Sequence, residues 1–169
     1  MEWIFRPLDS SFDKDAFDCG VLKLNEYLKQ YAAQNDKKGI AKTFVAILEE
    51  NSNQICGYYS VSMSSIEFNS IPENLRKRLP RYPVPAMLIG QLAVDKLMQG
   101  KGLGEELLLN AFSRAVRLAE EVGIFAVRVD ASDNTAKQFY LKYDFVPLLD
   151  RELSLLLPMA TILKSRRQV

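Results

Sequence analysis

Apolar and polar residues follow two periods along the chain, and these periods predict an alternation of strands and helices. Across residues 103–122 apolar side chains recur at spacings of three and four, which predicts a helix with one buried face. Residues 86–94 form a nearly continuous apolar run, the pattern of a strand buried on both faces. Shorter strand-like runs lie at residues 3–8, 43–48, 55–63, 125–129, 146–149 and 153–157.

The segments between these runs predict helices and turns. Residues 13–35 have a helical pattern in two pieces broken near Gly20, and Asp133 is a candidate N-cap for a short helix over residues 134–143. Gly123 is the predicted left-handed end of the long helix. The first helical region is expected to bury Val21, Leu24, Leu28, Tyr31 and Ala32.

Other connecting segments complete the fold class. The polar residues 49–54 between two strand-like runs predict a β-hairpin. The proline-rich residues 72–85 predict a loop with one helical turn around 74–77. Strand, loop, helix, strand and helix follow one another in the second half, so the expected class is α/β (α+β), with ligands outside the carboxyl ends of the strands.

Length and composition fit one domain over residues 1–169, with residues 164–169 as a frayed basic tail. The chain has a formal net charge of +1, so only a local patch of positive charge would attract nucleic acid. Cys19 and Cys56 are far apart in sequence, which suits a reducing cytoplasm rather than a disulfide framework. The start of the chain reads as a strand rather than a signal peptide, and no apolar run is long enough to span a membrane.

The absence of histidine restricts the chemistry more than any other feature of the composition. It excludes serine–histidine and cysteine–histidine catalysis and most zinc sites, and no metal centre is expected. Carboxylates, tyrosine, cysteine, lysine and bound water remain for proton transfer.

A glycine-rich stretch between the apolar strand and the long helix is the strongest candidate binding site. This glycine loop, residues 99–104, has glycines at alternate positions, which allow the backbone to bend and to approach a ligand closely. The first N–H groups of the following helix have no partner within it, and the helix dipole favours an anion there. The alternative is an ordinary glycine-rich turn. The loop lacks the spacings of the common nucleoside triphosphate and dinucleotide loops.

Gln99-Gly100-Lys101-Gly102-Leu103-Gly104 resembles the Gln/Arg-x-x-Gly-x-Gly/Ala loop of the GCN5-related N-acetyltransferases (GNAT), and the resemblance covers nearly the whole chain. It implies acetyl-coenzyme A (acetyl-CoA) as cosubstrate, with its pyrophosphate held by the backbone of this loop. It also implies a mixed central sheet that is splayed at the cofactor site and has helices on both faces. Further matching residues are Leu92-Ala93-Val94, Asn134, Ala136 and Phe139-Tyr140.

The same resemblance assigns roles to individual residues. Tyr140 is the implied general acid, although an aromatic residue on a short amphipathic helix is also explained by packing against the core or the cofactor. Backbone N–H groups near Ala93 are expected to hold the pantetheine and polarise the thioester carbonyl. Lys137 is implied to contact a coenzyme phosphate. The full implied cofactor set is Leu92, Ala93, Val94, Gln99, Gly100, Lys101, Gly102, Leu103, Gly104, Asn134, Lys137 and Phe139.

Within the family, the chain resembles the toxin acetyltransferases of bacterial toxin–antitoxin pairs. This branch implies aminoacyl-tRNA as acceptor, a ribbon-helix-helix antitoxin as partner, and a homodimer that grips one tRNA. Two alternatives stay open: an acetyltransferase acting on a small-molecule amine or a protein N-terminus, and a non-catalytic acyl-CoA-binding module. The matching passages include Phe17-Asp18-Cys19-Gly20, Leu24-Asn25-Glu26-Tyr27-Leu28, Gly57-Tyr58-Tyr59-Ser60 and Leu92-Ala93-Val94-Asp95.

Two groups of charged residues are candidates for the acceptor side. Glu67 is a possible base that acts through an ordered water, or else a solvated carboxylate. A run of cations around residues 76–81 is either a phosphate-binding edge for tRNA or an ordinary solvated face. The candidate tRNA residues are Arg76, Lys77, Arg78 and Arg81, extended by Lys37, Lys38 and Lys42.

The chain departs from the family pattern at two places. Asp144 precedes Phe145 where the family usually has glycine, and aspartate is one of the few residues that tolerate a left-handed backbone. Gln91 stands where the related toxins often have arginine, so a charge-dependent role there is not expected.

Overall fold

The computed structural model describes residues 1–167, and within them the predicted α/β class is confirmed. The strands form one mixed seven-stranded sheet in the order β1-β2-β3-β4-β5-β7-β6. Their bounds are β1 Ile4–Pro7, β2 Lys42–Ile47, β3 Gly57–Ile66, β4 Val84–Val94, β5 Ala126–Asp130, β6 Val146–Pro147 and β7 Ser154–Pro158. The helices are α1 Leu22–Glu26, α2 Ala32–Lys37, α3 Glu73–Arg76, α4 Leu103–Leu118, α5 Asn134–Leu141 and α6 Met159–Arg167.

The strand pairing is antiparallel except between β4 and β5. The predicted hairpin is confirmed, because β2 and β3 are antiparallel neighbours with Thr43 opposite Ser60. β4 and β5 are parallel and pair through Ala86–Ile89, whereas β7 is antiparallel to both β5 and β6. The carboxyl half of β4 therefore extends beyond the residues that pair with β5.

The contacts between residues divide the chain into two compact units. Unit 1 comprises Met1–Ser62 and Gln91–Ala111, and unit 2 comprises Met63–Gly90 and the described residues from Phe112 onward. The expectation of one domain over residues 1–169 stays a prediction.

Unit 1 has helices on both faces of its strands. Neighbouring residues of a strand point to opposite faces. Gly57 faces Leu103 and Leu107 of α4, whereas the hydroxyl of Tyr58 donates a hydrogen bond to the backbone oxygen of Leu24 in α1 (2.6 Å). The core on the α1 face includes Phe17, Leu28, Ala32, Val45, Tyr58 and Ala93.

Unit 2 has its own core and two features that the sequence predicts correctly. The core includes Ile66, Ile71, Ala86, Ala126 and Leu156. Asp133 caps α5, since its carboxylate accepts a hydrogen bond from the backbone N–H of Ala136 (2.8 Å). Asp144 has φ of 69°, the left-handed conformation expected where the family uses glycine.

Of the two helical pieces predicted over residues 13–35, the first is wrong and the second is confirmed as α1, a π-helical turn and α2. Residues 13–18 form turns instead of a helix, because the Asp13 carboxylate accepts hydrogen bonds from the backbone N–H groups of Asp15 and Ala16 (both 3.2 Å). A π-helical turn at Tyr27–Tyr31 interrupts the second piece. The turn changes the helical register, so Leu28 and Ala32 are buried as predicted while Tyr31 is 50% exposed.

Two predicted helix ends are also wrong. α4 ends at Leu118, and the next residues form turns in which the Val122 N–H donates to the Leu118 oxygen (3.0 Å). Leu118 and Val122 are both exposed, so this end of the apolar pattern is not buried in the core, and Gly123 has no left-handed backbone. Residues 164–169 are predicted to be a frayed tail, but α6 continues through Lys164 to Arg167. The buried side chains of Met159 and Ile162 anchor this helix. Residues 168 and 169 lie outside the described residues.

Two kinds of feature are absent from residues 1–167. No helix there combines the length and the apolar character needed to cross a membrane. No group of three or more histidine, cysteine, aspartate or glutamate side chains in this part of the chain is arranged to hold a metal ion.

We expect Gly57→Ala to destabilise the protein by about 1–3 kcal/mol, because overpacking forces neighbours to shift. A Cβ at Gly57 would lie 3.0 Å from the Ala93 backbone oxygen and 3.0 Å from side-chain carbons of Leu103 and Leu107. Urea denaturation measures the change. Gly123→Ala is the control, since its Cβ would meet only Pro85 at 4.0 Å. Equal stability of the two variants would contradict this prediction.

Candidate active site

Left-handed backbone at two glycines shapes the glycine loop of unit 1. Gly100 has φ of 79° and Gly102 has φ of 85°, conformations that other residues rarely adopt. No atom lies within 4 Å of the positions that a Cβ would take at either residue. The glycines therefore serve the backbone conformation, and the space beside them is open.

The first turn of α4 follows the glycine loop directly. The earliest helical hydrogen bond runs from the N–H of Glu106 to the Gly102 oxygen (3.3 Å), so the N–H groups of the residues between them have no partner within the helix. The side chain of Leu103 is buried in the core, and Gly104 is partly buried. This end of α4 offers an anion backbone donors rather than side chains, and its geometry fits a phosphate group.

The two long side chains of the glycine loop point in different directions. Gln99 donates hydrogen bonds from Nε2 to the backbone oxygens of Val94 (2.9 Å) and Cys19 (3.0 Å). Its amide therefore links the glycine loop to the end of β4 and to the segment around Cys19. Lys101 is exposed. Of these two, Lys101 is the side chain available to a ligand.

The strand before the loop ends in Leu92-Ala93-Val94. Ala93 is buried, while Leu92 and Val94 are partly buried, so these residues offer a ligand mainly backbone groups. A polar pair lies just before them, where the Ser60 hydroxyl donates a hydrogen bond to Oε1 of Gln91. That bond fixes the orientation of the Gln91 amide.

In unit 2, Tyr140 lies on α5 with only 5% of its surface exposed. Its ring makes edge contacts with Phe139 and Phe145, at centroid distances of 5.2 and 5.5 Å. Within residues 1–167 its hydroxyl has no hydrogen-bond partner. Burial raises the pKa of Tyr140 well above its ordinary value, because the charged phenolate is poorly solvated there.

Three other predicted cofactor residues lie on the same helix. Asn134 is the exposed first residue of α5, Lys137 is one turn later and partly buried, and Phe139 is partly buried. The ring of Phe139 also contacts Tyr143 at a centroid distance of 5.0 Å. Asn134 and Lys137 are accessible polar groups, whereas Phe139 belongs to the aromatic cluster around Tyr140.

The basic segment, residues 76–81 of unit 2, contains cations of two kinds. Arg76 pairs with Glu73 (3.6 Å) and lies over the ring of Phe68, 5.0 Å from its centroid, so it has a structural role. Lys77, Arg78 and Arg81 are exposed. Only these three cations are free to meet a phosphate backbone.

The other predicted tRNA cations belong to unit 1. Lys37 and Lys38 are exposed at the end of α2, whereas Lys42 forms an ion pair with Asp36 at 2.5 Å. Glu67, the candidate base, is exposed at the end of β3 in unit 2.

Three polar residues of unit 1 have a role that the sequence does not indicate. Asp18, Asn25 and Asp95 make hydrogen bonds to one another or to backbone groups beside the glycine loop. Asp18 and Asp95 are 77 residues apart, so no local pattern connects them. The sequence offers two signals: Asn25 falls on the helix face predicted to be buried, and all three residues lie in passages that resemble the toxin branch.

Comparison with known proteins gives a family match and a relative of similar length. Residues 39–147 match the family described as Acetyltransferase (GNAT) domain. The tRNA-acetylating toxin of Mycobacterium tuberculosis (strain ATCC 25618 / H37Rv) is 33% identical over 140 residues, which cover 83% of this chain and 82% of the relative.

Solved structures share the fold over nearly the whole chain. A tyrosine-to-phenylalanine mutant of KacT has a TM-score of 0.92 and 27% identity, covering 98% of this chain and 99% of that chain. AtaT complexed with acetyl-methionyl-tRNAfMet has a TM-score of 0.90, 27% identity and the same coverage. AtaTR bound with AcCoA has a TM-score of 0.84 and 26% identity, covering 97% of this chain and 98% of that chain. An AtaT mutant toxin bound to the C-terminus of the antitoxin AtaR has a TM-score of 0.84 and 26% identity, covering 100% of this chain and 99% of that chain.

Burial of Tyr140 predicts a loss of stability at high pH. An unfolded tyrosine loses its proton near pH 10, whereas buried Tyr140 keeps it, so the free energy of unfolding falls as pH rises above about 10. One such group contributes a slope of about 1.4 kcal/mol per pH unit. We expect Tyr140→Phe to lower the slope by this amount in urea denaturation between about pH 9 and 11.5, and the slope that remains includes the contribution of Tyr58, whose pKa burial also raises.

Tyr82→Phe is the matched control, since the Tyr82 ring is 68% exposed. A slope that is the same in wild type and Tyr140→Phe would show that Tyr140 titrates alike in the folded and unfolded chains.

Proposed function

Because the chain belongs to the GCN5-related N-acetyltransferase (GNAT) family, we propose that it moves an acetyl group from acetyl-CoA to the α-amino group of aminoacyl-tRNA. The observation that carries the proposal is the glycine loop, with left-handed Gly100 and Gly102 before the free N–H groups of α4. A relative named as a tRNA-acetylating toxin and the AtaT complex with acetyl-methionyl-tRNAfMet support the choice of acceptor.

In this proposal the backbone holds most of the cosubstrate. The glycine loop and the first turn of α4 bind the pyrophosphate, and Lys101 and Lys137 add positive charge. Backbone groups of Leu92, Ala93 and Val94 align the pantetheine and polarise the carbonyl, an oxyanion-type contribution. Asn134 donates a hydrogen bond to the pantetheine arm. Bound acetyl-CoA supplies an acetyl group already activated as a thioester.

Tyr140 is proposed as the proton donor. As the amine nitrogen bonds to the acetyl carbon, the carbon–sulfur bond breaks and the sulfur takes the Tyr140 proton. A tyrosine with a pKa near 10 is protonated at neutral pH, and burial raises the pKa of Tyr140 further, so the acid form is present throughout. General acid catalysis of this kind contributes roughly 10²–10⁴ in rate.

The acceptor amine requires no strong base in the enzyme. An α-amino group has a pKa near 8, about two units below that of lysine, so a far larger fraction of it than of a lysine is neutral at physiological pH. The nitrogen loses its extra proton to water as the amide forms, and Tyr140 regains a proton from water, which restores the enzyme. An aminoacyl ester is therefore a suitable acceptor for a chain that has no histidine.

The proposal includes partners and a location. The exposed cations of the basic segment contact tRNA phosphates, and a homodimer presents two such segments to one tRNA. AtaT is bound to the C-terminus of the antitoxin AtaR, which supports an antitoxin as the partner of this chain. The ribbon-helix-helix fold of that partner is what the resemblance to the toxin branch implies. Cys19 and Cys56 are both free and buried, which agrees with action in the cytoplasm.

Tyr140→Phe should lower acetylation of charged tRNA by roughly 10²–10⁴, because the departing sulfur loses its proton donor. The measurement is thiol release from acetyl-CoA with bulk aminoacyl-tRNA. Tyr143→Phe is the matched control, since it removes a hydroxyl from the same aromatic cluster. CoA binding measured by calorimetry should be unchanged in both variants.

Retention of nearly full activity by Tyr140→Phe would exclude the acid role. Turnover with a small amine but not with charged tRNA would keep the family chemistry and reject the acceptor.

A triple variant in which Lys77, Arg78 and Arg81 are replaced by Ala should bind tRNA less tightly. Its binding constant should also change less steeply with salt concentration. Each cation that no longer neutralises a phosphate lowers the slope of log K against log salt by about 0.7–0.9, so the slope of the triple variant should be smaller by roughly 2–3. Filter binding over a salt series measures it. Arg76 is kept because its removal would uncover Phe68.

A second triple variant provides the charge-matched control. Lys23, Arg117 and Lys142 are exposed cations outside the proposed surface, and their replacement by Ala removes the same charge. Equal slopes for the two triple variants would mean that the basic segment is an ordinary solvated face.

A further inference from the structure

The glycine loop is held in place by a chain segment 77 to 80 residues earlier in the sequence. Gln99 makes the first connection, since its amide bridges the carbonyl of Val94 at the end of β4 and the carbonyl of Cys19. This side chain therefore joins three places: the loop, the strand before it, and the anchoring segment, residues 18–20.

The buried carboxylate of Asp95 makes the second connection. One oxygen accepts the N–H of Leu97 in the turn that leads into the glycine loop (2.9 Å), and the other accepts the N–H of Asp18 (3.1 Å). The backbone N–H of Lys96 in turn donates to the Asp18 carbonyl (2.9 Å). The turn and the anchoring segment thus each donate one hydrogen bond to the other and accept one from it.

Asn25 of α1 fixes the anchoring segment itself. Its Oδ1 accepts the N–H of Cys19 (2.9 Å), and its Nδ2 donates to Oδ1 of Asp18 (2.9 Å). The same Asp18 oxygen accepts the N–H of Gly20, which has a left-handed φ of 87°. Asn25 is only 9% exposed, so water does not readily replace these bonds.

We infer that Asn25 is a positioning residue for cofactor binding, acting through Asp18, Cys19, Asp95 and Gln99 on the glycine loop. Within the loop, Gly100, Lys101 and Gly102 are exposed, so the shape of this part depends on the contacts of Gln99 on one side and of buried Leu103 on the other. A loop formed in advance spares the ordering cost when a ligand binds. The inference rests on the proposed function, in which this loop holds the pyrophosphate of CoA.

The test compares a cofactor that has the pyrophosphate with one that lacks it. Asn25→Ala should raise the dissociation constant of CoA, measured by calorimetry, by on the order of tenfold to a hundredfold. Turnover with S-acetylpantetheine, which has no pyrophosphate, should be unchanged. With acetyl-CoA, KM should rise while kcat changes little. Asn35→Ala is the matched control, because among the described residues the side-chain amide of Asn35 donates to the Tyr27 hydroxyl (3.3 Å), away from the glycine loop.

A second variant covers the case in which Asn25→Ala does not fold. Gln99→Leu removes the bridging amide from an exposed position, and it should raise the dissociation constant of CoA by a larger factor than it raises the KM for S-acetylpantetheine, which depends only on the Val94 side of the bridge. Where both variants fold, the double variant should lose less affinity than the product of the single losses, because both act through the same contacts.

The outcomes separate this inference from the function on which it rests. Failure of the wild type to bind CoA would reject the proposed cofactor site. Normal CoA binding by wild type, Asn25→Ala and Gln99→Leu would overturn the positioning role and leave the proposed function intact. Equal losses with CoA and S-acetylpantetheine would also overturn it, since a general loss of structure does not select the pyrophosphate.

Discussion

The backbone N–H groups at the start of α4 have no partner within the helix, and the contacts around the glycine loop support this exposed turn. Buried backbone donors are normally paired, so an open set requires a surface position and a rigid support. Gly100 and Gly102 provide the turn without a side chain over it. Gly57 lets α4 lie close to β3 in unit 1, so the helix that carries these donors is fixed against the sheet.

The lack of histidine agrees with the kind of reaction that the fold supports. A thioester needs little activation, so alignment and a proton for the departing sulfur supply most of what catalysis requires. In the proposed mechanism Tyr140 supplies this proton, since its hydroxyl is protonated at neutral pH and burial disfavours the phenolate. A reaction with a less activated donor would depend more on a general base, and in a chain without histidine that base would be a carboxylate, a cysteine, a lysine or bound water.

Local patterns in the sequence predict the elements that local physics determines. The spacing in α4, the hairpin of β2 and β3, the Asp133 cap and the left-handed Asp144 each depend on neighbours in the chain. The turns at residues 13–18 were missed because an aspartate side chain competes for backbone donors inside an apparently helical pattern. The anchoring of Gln99 by Cys19 was missed because the partners are 80 residues apart.

Charge on this protein acts locally, and packing decides which charges remain available. A net charge of +1 gives no long-range attraction to RNA, so any electrostatic contribution must come from a few exposed cations. Arg76 belongs to the same run as Arg78 in the sequence, yet its guanidinium is committed to Glu73 and Phe68. If all four cations of the basic segment were counted as phosphate contacts, the number of contacts would be too large by one, because Arg76 is not available. A basic motif therefore becomes a binding surface only after the cations that stabilise the fold have been excluded.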